Sequence, residues 1–311
     1  MDNKIIAIIV AIIAIAAVGA FFLMGGGDTV TIGYLPSDHD AALFVADAQG
    51  QFASNGIKTN LVQFNNGGDL MTAMASGDVD VGYVGITPVL ASIQKGVPVK
   101  VISAAQTDGS GLVVSKNSGI SSVQDLAGKS IATPGEASIQ YMLLQYYLEQ
   151  NGMSLKDLKV SSMKVPSMND ALKTNKIDGM ITFEPYVTIA EKNGATVLAG
   201  SQDILPDHPC CVVVASDKFL EEHPNETNTI LEIHENATDF INNNSDEAAS
   251  MIPSDIVSDV EIEKVAISSF PFISGLDDSF KQDVMDFMNL EVDLGVLKEP
   301  ISQDKIFWDG S

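Results

Sequence analysis

TIGYLPSDHDAALFVADAQGQFASNGI, residues 31 to 57, packs a strand, a polar tip and a helix into one short stretch. An apolar strand stops at Pro36. The loop Ser37, Asp38, His39 and Asp40 follows, and an apolar helix begins almost at once and ends at Gly56. A strand that feeds a helix through so short a tip is the building unit of a parallel sheet covered by helices.

The same unit recurs on either side. KTNLVQF is the next strand, and GGDLMTAMASGD puts Leu70, Met71, Met74 and Ala75 on one helical face. VDVGYVG, then ITPVLASIQKG with a proline near its helix start, then VKVISAA, complete a first α/β unit near residues 30 to 110. GLVVS reads as a linking strand. A second unit then runs to about residue 210. It contains the strands SIAT, LKVSSMKV, IDGMITF and ATVLA, the long helix after Gly135 that ends at Asn151-Gly152, and the returning strand CCVVVAS. The tail from Asp217 to Ser311 carries 22 acidic residues and 5 lysines and reads as successive helices that pad the first unit.

In open α/β sheets ligands bind beyond the C-terminal ends of the strands. Those tips are Ser37-Asp38-His39, residues 65 to 69, Ile86-Thr87-Pro88, residues 107 to 110, residues 133 to 138, residues 166 to 169, and Phe183-Glu184-Pro185-Tyr186; residues 207 to 210 precede the returning strand. They are rich in Gly, Ser, Thr and Asn, and most run into a helix N-terminus, where unsatisfied N–H groups converge. Gly67, Gly68 and Gly135 let a backbone approach closely. His39 and His208 sit at tips of different units and could face one another across a cleft. Glu136 and Glu184 sit at helix starts, where the dipole alone accounts for a carboxylate. Tyr34, Tyr83 and Tyr141 suit an apolar wall or the core.

Composition narrows the function. The 311 residues carry a net charge of −24, and all 17 basic residues are lysines, so the basic footprint of a nucleic-acid binder is missing. No nucleophile elbow, Walker sequence, zinc-protease motif or dinucleotide fingerprint is present, and no catalytic residue, cofactor or metal ligand set is expected. The two cysteines, Cys210 and Cys211, are adjacent; they read as two buried thiols, with a strained vicinal disulfide as the other possibility. Ile5 to Met24 is an uncharged run of 20 residues. At about 1.5 Å per residue it spans the roughly 30 Å of a bilayer core. An uncleaved membrane anchor with a tether at Gly25 to Gly27 is the favoured reading, and a long signal peptide the alternative. Either places the remainder outside the cytoplasm, as three N-x-S/T sequons at Asn225, Asn236 and Asn243, open to glycosylation, also suggest.

Taken together, residues 33 to 57, the Ser76 to Pro88 element SGDVDVGYVGITP, the Leu126 to Ser138 element LAGKSIATPGEAS and residues 165 to 194 resemble the substrate-binding proteins of the nitrate, sulfonate and taurine class of ABC importers. That family also takes in pyrimidine-binding proteins of thiamine salvage. The resemblance covers most of residues 30 to 245 and implies a two-lobed flytrap of the type 2 periplasmic-binding-protein kind, an α/β fold with mixed, mostly parallel sheets, here preceded by a transmembrane helix. The implied divisions are an anchor over 1–27, a first lobe from 28–112 with 216–311, and a second lobe over 113–215. The resemblance implies first-lobe contacts at Ser37 to Asp40, Gly67-Gly68 and Thr87, and second-lobe contacts at Glu136, Ala137, Ser138 and Glu184. Together with His208 these make up the expected ligand-binding set. With the apolar N-terminal run read as an anchor, the expected protein is a membrane-anchored monomer, facing outside, that hands a small polar anion or zwitterion to a permease and its ATPase. With no arginine to clamp it, an aliphatic sulfonate, taurine or nitrate would rest on helix N-termini. The alternatives are a pyrimidine binder, an enzyme on the same fold (a pyrimidine-precursor synthase or a menaquinone-pathway lyase), and a sensory ectodomain.

Overall fold

A computed structural model describes residues 29–310, and the expected anchor and tether, residues 1–27, lie outside the described residues. Among the described residues there are ten strands: β1 (Val30–Tyr34), β2 (Thr59–Gln63), β3 (Val81–Gly85), β4 (Val99–Thr107), β5 (Ser110–Val114), β6 (Ser130–Thr133), β7 (Lys159–Ser162), β8 (Gly179–Phe183), β9 (Thr196–Gly200) and β10 (Pro209–Ser216). The helices through the first lobe are α1 (Ala41–Ala48), α2 (Gln51–Ser54), α3 (Gly67–Ser76) and α4 (Ile86–Gln94); those of the second are α5 (Ile139–Gln150), α6 (Val165–Lys173), α7 (Tyr186–Lys192) and α8 (Ser201–Ile204). The tail adds α9 (Asp217–Glu222), α10 (Pro224–Asn243), α11 (Ser245–Ala249), α12 (Val260–Ile267), α13 (Asp278–Asp293) and α14 (Gln303–Ile306).

Two five-stranded sheets result, ordered β2-β1-β3-β10-β4 and β7-β6-β8-β5-β9. β1 lies parallel to β2 and β3, and β6 parallel to β7 and β8. β10 is antiparallel to both β3 and β4, and β5 to both β8 and β9. Composition sorts the positions. The inner strands β3, β5 and β8 are buried at every residue, as strands covered on both faces must be, whereas edge strand β7, KVSS, is largely exposed.

GLVVS is therefore not a linker: as β5 it sits between β8 and β9 in the second sheet. The boundaries expected at 112/113 and 215/216 shift accordingly. The second sheet already begins at Ser110, and the chain has rejoined the first sheet by Pro209, because β10 wedges between β3 and β4. The lobes are thus joined by two crossovers, Thr107 to Ser110 and Gly200 to Pro209. The acidic tail is helical as expected and returns to the first lobe, where α10 packs on α1, and α13 on α4 and β10. Among the described residues no helix is long and apolar enough to cross a membrane.

Candidate functional site

The strand tips converge between the two sheets. After β1, the Ser37 hydroxyl caps a single 3₁₀ turn by accepting from His39 N (3.1 Å), and the Asp40 carboxylate accepts from Leu35 N (2.8 Å), which folds the loop tightly. Asn66 caps α3 by accepting from Asp69 N (2.9 Å), and Ser138 caps α5 by accepting from Tyr141 N (3.2 Å). The N-termini of α3 and α5 therefore meet from opposite lobes: a Cβ added to Gly68 would stand 3.8 Å from the Ala137 Cβ. Ser37 Oγ donates across the gap to Glu184 O (3.1 Å), and Gln145 Nε2 to Leu294 O (2.9 Å), holding the lobes together.

Between them lies a cavity of about 30 Å³, room for only a water or two. Ser37, His39, Asp40, Asn66 and Gly67 line it from one side, and Ala137, Ser138, Gln140 and Phe183 from the other; Cys210 and Cys211 of β10 complete it. The His39 ring lies beside Phe183 and Phe270, with ring centroids 5.5 and 4.9 Å away.

Burial dominates the electrostatics. The Asp40 carboxyl is pushed well above the usual range by desolvation, against the opposing bond from Leu35 N. Asp38 is raised well above that range as well, first by burial and then by Glu263 and Glu184, and the only bond that opposes the shift comes from its own backbone N–H. Burial lifts Glu184 to about 7 despite its bonds from Thr188 N (2.9 Å) and Oγ1 (3.0 Å), and burial with the Glu184 charge lifts Glu263 to about 8. Burial thus disfavours the charged form throughout this acidic neighbourhood. In the thiol pair, burial opposes ionisation of Cys210, yet the Cys211 bond and the two nearby histidines pull it down, while Cys211 is pushed up by its bond to Cys210 and by burial.

Of the expected contacts, Ser37, His39, Asp40, Gly67, Ala137 and Ser138 line the cavity. Gly68 stands at its rim against Ala137. Thr87 does not reach it: fully buried, it donates to Glu291 of α13 instead. Glu136 is exposed. Asp38 and Glu184 lie buried behind the wall, Glu184 locked to Thr188. His208 and His39 do not face one another across the cavity. His208 belongs to the second crossover, where Nδ1 donates to Leu205 O (2.8 Å) and lies 3.2 Å from Asp108 Oδ1. Tyr83 is core, bonded to His234 Nδ1 at 3.3 Å, and His234 is itself a buried core histidine. Tyr34 packs edge-on against Phe44. The two cysteines are free and buried, with Sγ atoms 4.0 Å apart. Asn66, Gln140, Phe183 and the two cysteines are lining residues outside the expected set; Asn66 and Phe183 lie in tips whose neighbours stood out more.

Two α/β lobes, two crossovers and a site between the C-terminal ends of both sheets define the periplasmic-binding-protein fold. The chain belongs to the NMT1-like family, whose model matches residues 26–253. It is 32% identical over 199 residues (63% of this chain) to the taurine-binding periplasmic protein of Escherichia coli strain K12, and 28% identical over 214 residues (68%) to a putative aliphatic sulfonates-binding protein of Bacillus subtilis strain 168. These matches span 61% and 62% of the relatives' own lengths. The alkanesulfonate-binding protein SsuA of Xanthomonas axonopodis pv. citri, solved bound to MOPS, superposes with a TM-score of 0.80 over 91% of this chain and 99% of that one; at 16% identity the likeness is one of fold.

Proposed function

We propose that this chain is the extracytoplasmic solute-binding component of an ABC importer. It takes a small polar anion or zwitterion, such as an aliphatic sulfonate, taurine or nitrate, between its lobes and delivers it to a permease with its ATPase. The N-terminal apolar run would hold it to the outer face of the cell membrane. One observation carries the reading: the N-termini of α3 and α5 approach from opposite lobes onto one cavity. The first N–H groups of a helix lack intrahelical partners and favour negative charge, so an oxyanion bound there would draw the lobes together without any basic side chain. A zwitterion fits further, because the cavity wall includes the Asp40 carboxyl, a partner for an ammonium group. The relatives named for taurine and sulfonates support the same class. The cavity admits such a solute only when the lobes part, which is the hinge motion of binding proteins.

Calorimetric titration with taurine, ethanesulfonate, nitrate and an aminopyrimidine tests the reading. Saturable one-to-one binding of taurine or a sulfonate is expected. For taurine, Asp40→Asn should weaken binding more than it does for ethanesulfonate. Heat from the aminopyrimidine alone would replace the anion by a pyrimidine ligand, and no heat from any solute would overturn the reading.

A further inference from the structure

His39, Cys210 and Cys211 bring one metal-ligand atom each within 4.8 Å of one another, and all three residues are buried. His39 Nδ1 lies 3.7 Å from Cys210 Sγ and 3.7 Å from Cys211 Sγ, and the sulfurs are 4.0 Å apart. The point equidistant from the three atoms of that triangle falls about 2.2 Å from each, within the range of metal–thiolate (~2.3 Å) and metal–imidazole (~2.0–2.1 Å) bonds.

Three further features shape this triangle. First, consecutive side chains of a regular strand point to opposite faces, so adjacent cysteines ordinarily diverge. Here the pairing of β10 with β4 slips on both sides of Cys211, and the irregularity turns both sulfurs toward one histidine nitrogen. Second, His39 Nε2 is 3.1 Å from Gly109 O. A carbonyl can only accept, so Nε2 carries the proton and Nδ1 presents its lone pair to the sulfurs. Metal-binding histidines are typically held this way, through the far ring nitrogen. Third, Gly109 makes room for that contact, since a Cβ there would stand 2.4 Å from Nε2.

We propose that His39, Cys210 and Cys211 form a three-ligand site for a thiophilic d¹⁰ metal ion, Zn²⁺ or Cu⁺, whose open position faces the cavity between the lobes. On binding, the protons still on the sulfurs leave to solvent, and the two thiolates with the neutral imidazole donate to the ion. With Zn²⁺ the assembly is neutral, which suits a buried site, and its fourth position is left for water or a solute atom. All three side chains line the cavity, so the open position of the ion would offer a solute oxygen a Lewis-acid contact where the lining supplies no lysine or arginine. Only that last role rests on the solute-binding reading; the site itself does not.

The test titrates Zn²⁺ alone into the full chain under a non-thiol reductant, with the heat measured in buffers of different ionisation enthalpy. One ion per chain and a net release of protons are expected. Cys210→Ser, Cys211→Ser and His39→Ala should each weaken binding by roughly 100-fold or more, because a three-ligand site loses a third of its donors. Co²⁺ should give a sulfur-to-metal charge-transfer band in the wild type that the serine variants lose, and competition against a chromogenic Cu⁺ chelator reads the second ion. Thermal melts of the metal-free variants show that they are folded. Failure of the wild type to bind either ion stoichiometrically overturns the site, as does a zinc isotherm that survives in the double serine variant. Solutes are absent throughout, so this result and that of the solute titration fail separately.

Discussion

At the scale of single residues, the polar groups of the site divide into those free to meet a solute and those already committed. The Ser138 hydroxyl donates to Gly135 O (2.6 Å) and accepts from Tyr141 N, so its main work is to cap α5. Thr87 is committed more completely. Its hydroxyl meets Glu291, whose carboxyl burial raises to about 8 even though the Thr87 bond opposes the shift. Thr87→Val keeps the shape and removes the donor, leaving Glu291 with no hydrogen-bond partner for either oxygen. Losing one partner of a buried pair costs about 1–3 kcal/mol. Urea denaturation should show a loss of that size, while the affinity for whichever solute binds stays unchanged. A large loss of affinity would return Thr87 to the site.

The crossovers decide behaviour at the scale of elements. β4 passes into β5 through Asp108 and Gly109, both in the left-handed region at φ 61° and 79°. Asp108 is in turn gripped from the other crossover, where His208 lies beside it and Gln202 Nε2 donates to its Oδ2. The two connections therefore form one joint, with His39 resting on it through Gly109 O. Gly109→Ala would strain the backbone and drive a methyl into the imidazole. We expect a stability loss of about 1–3 kcal/mol from the backbone strain, together with a larger radius of gyration in solution scattering as the lobes separate. Gly50→Ala is the control: its φ is also positive (66°), but nothing lies within 4 Å of an added Cβ, so it should lose stability without changing size. Equal scattering from both variants would show that the joint does not govern closure.

Across the whole molecule, buried acids set the response to pH. Burial raises Glu184 to about 7, and Glu263 and Glu291 to about 8, from an unfolded value near 4.5. Between those limits the folded chain binds more protons than the unfolded one, so stability falls as pH rises. His208 acts in the same direction. Burial alone would lower it, but Asp108 and the neighbouring thiol outweigh burial and raise it to about 9 from 6.5. Its contribution is therefore full below pH 6.5 and lost as pH rises through 9. The melting temperature should therefore fall between pH 5.5 and 9. Glu263→Gln should flatten the curve, because neither oxygen of Glu263 has a hydrogen-bond partner. A melting temperature that rises over this range would sink the assignment.

The sequence by itself determined the elements, the tips and the class. Strand and helix periods are local, so the alternation from Val30 to Ser216 could be read along the chain, and the tip SDHD, the helix start at Gly67 and the cap at Ser138 all lie where that alternation puts them. The tertiary structure alone decided which tips share a cavity and what each side chain does there. GLVVS looks the same whether it links lobes or fills a sheet, and only pairing with β8 and β9 distinguishes the two. Thr87 follows a strand as a site residue should, but α13, some 200 positions later, claims its hydroxyl. Cys210 and Cys211 carry no metal spacing because their third partner, His39, is 171 positions from Cys210. Short-range periodicity has no means of encoding such meetings. They arise when β10 recrosses between the lobes and its pairing slips beside the first loop, and burial then fixes the geometry.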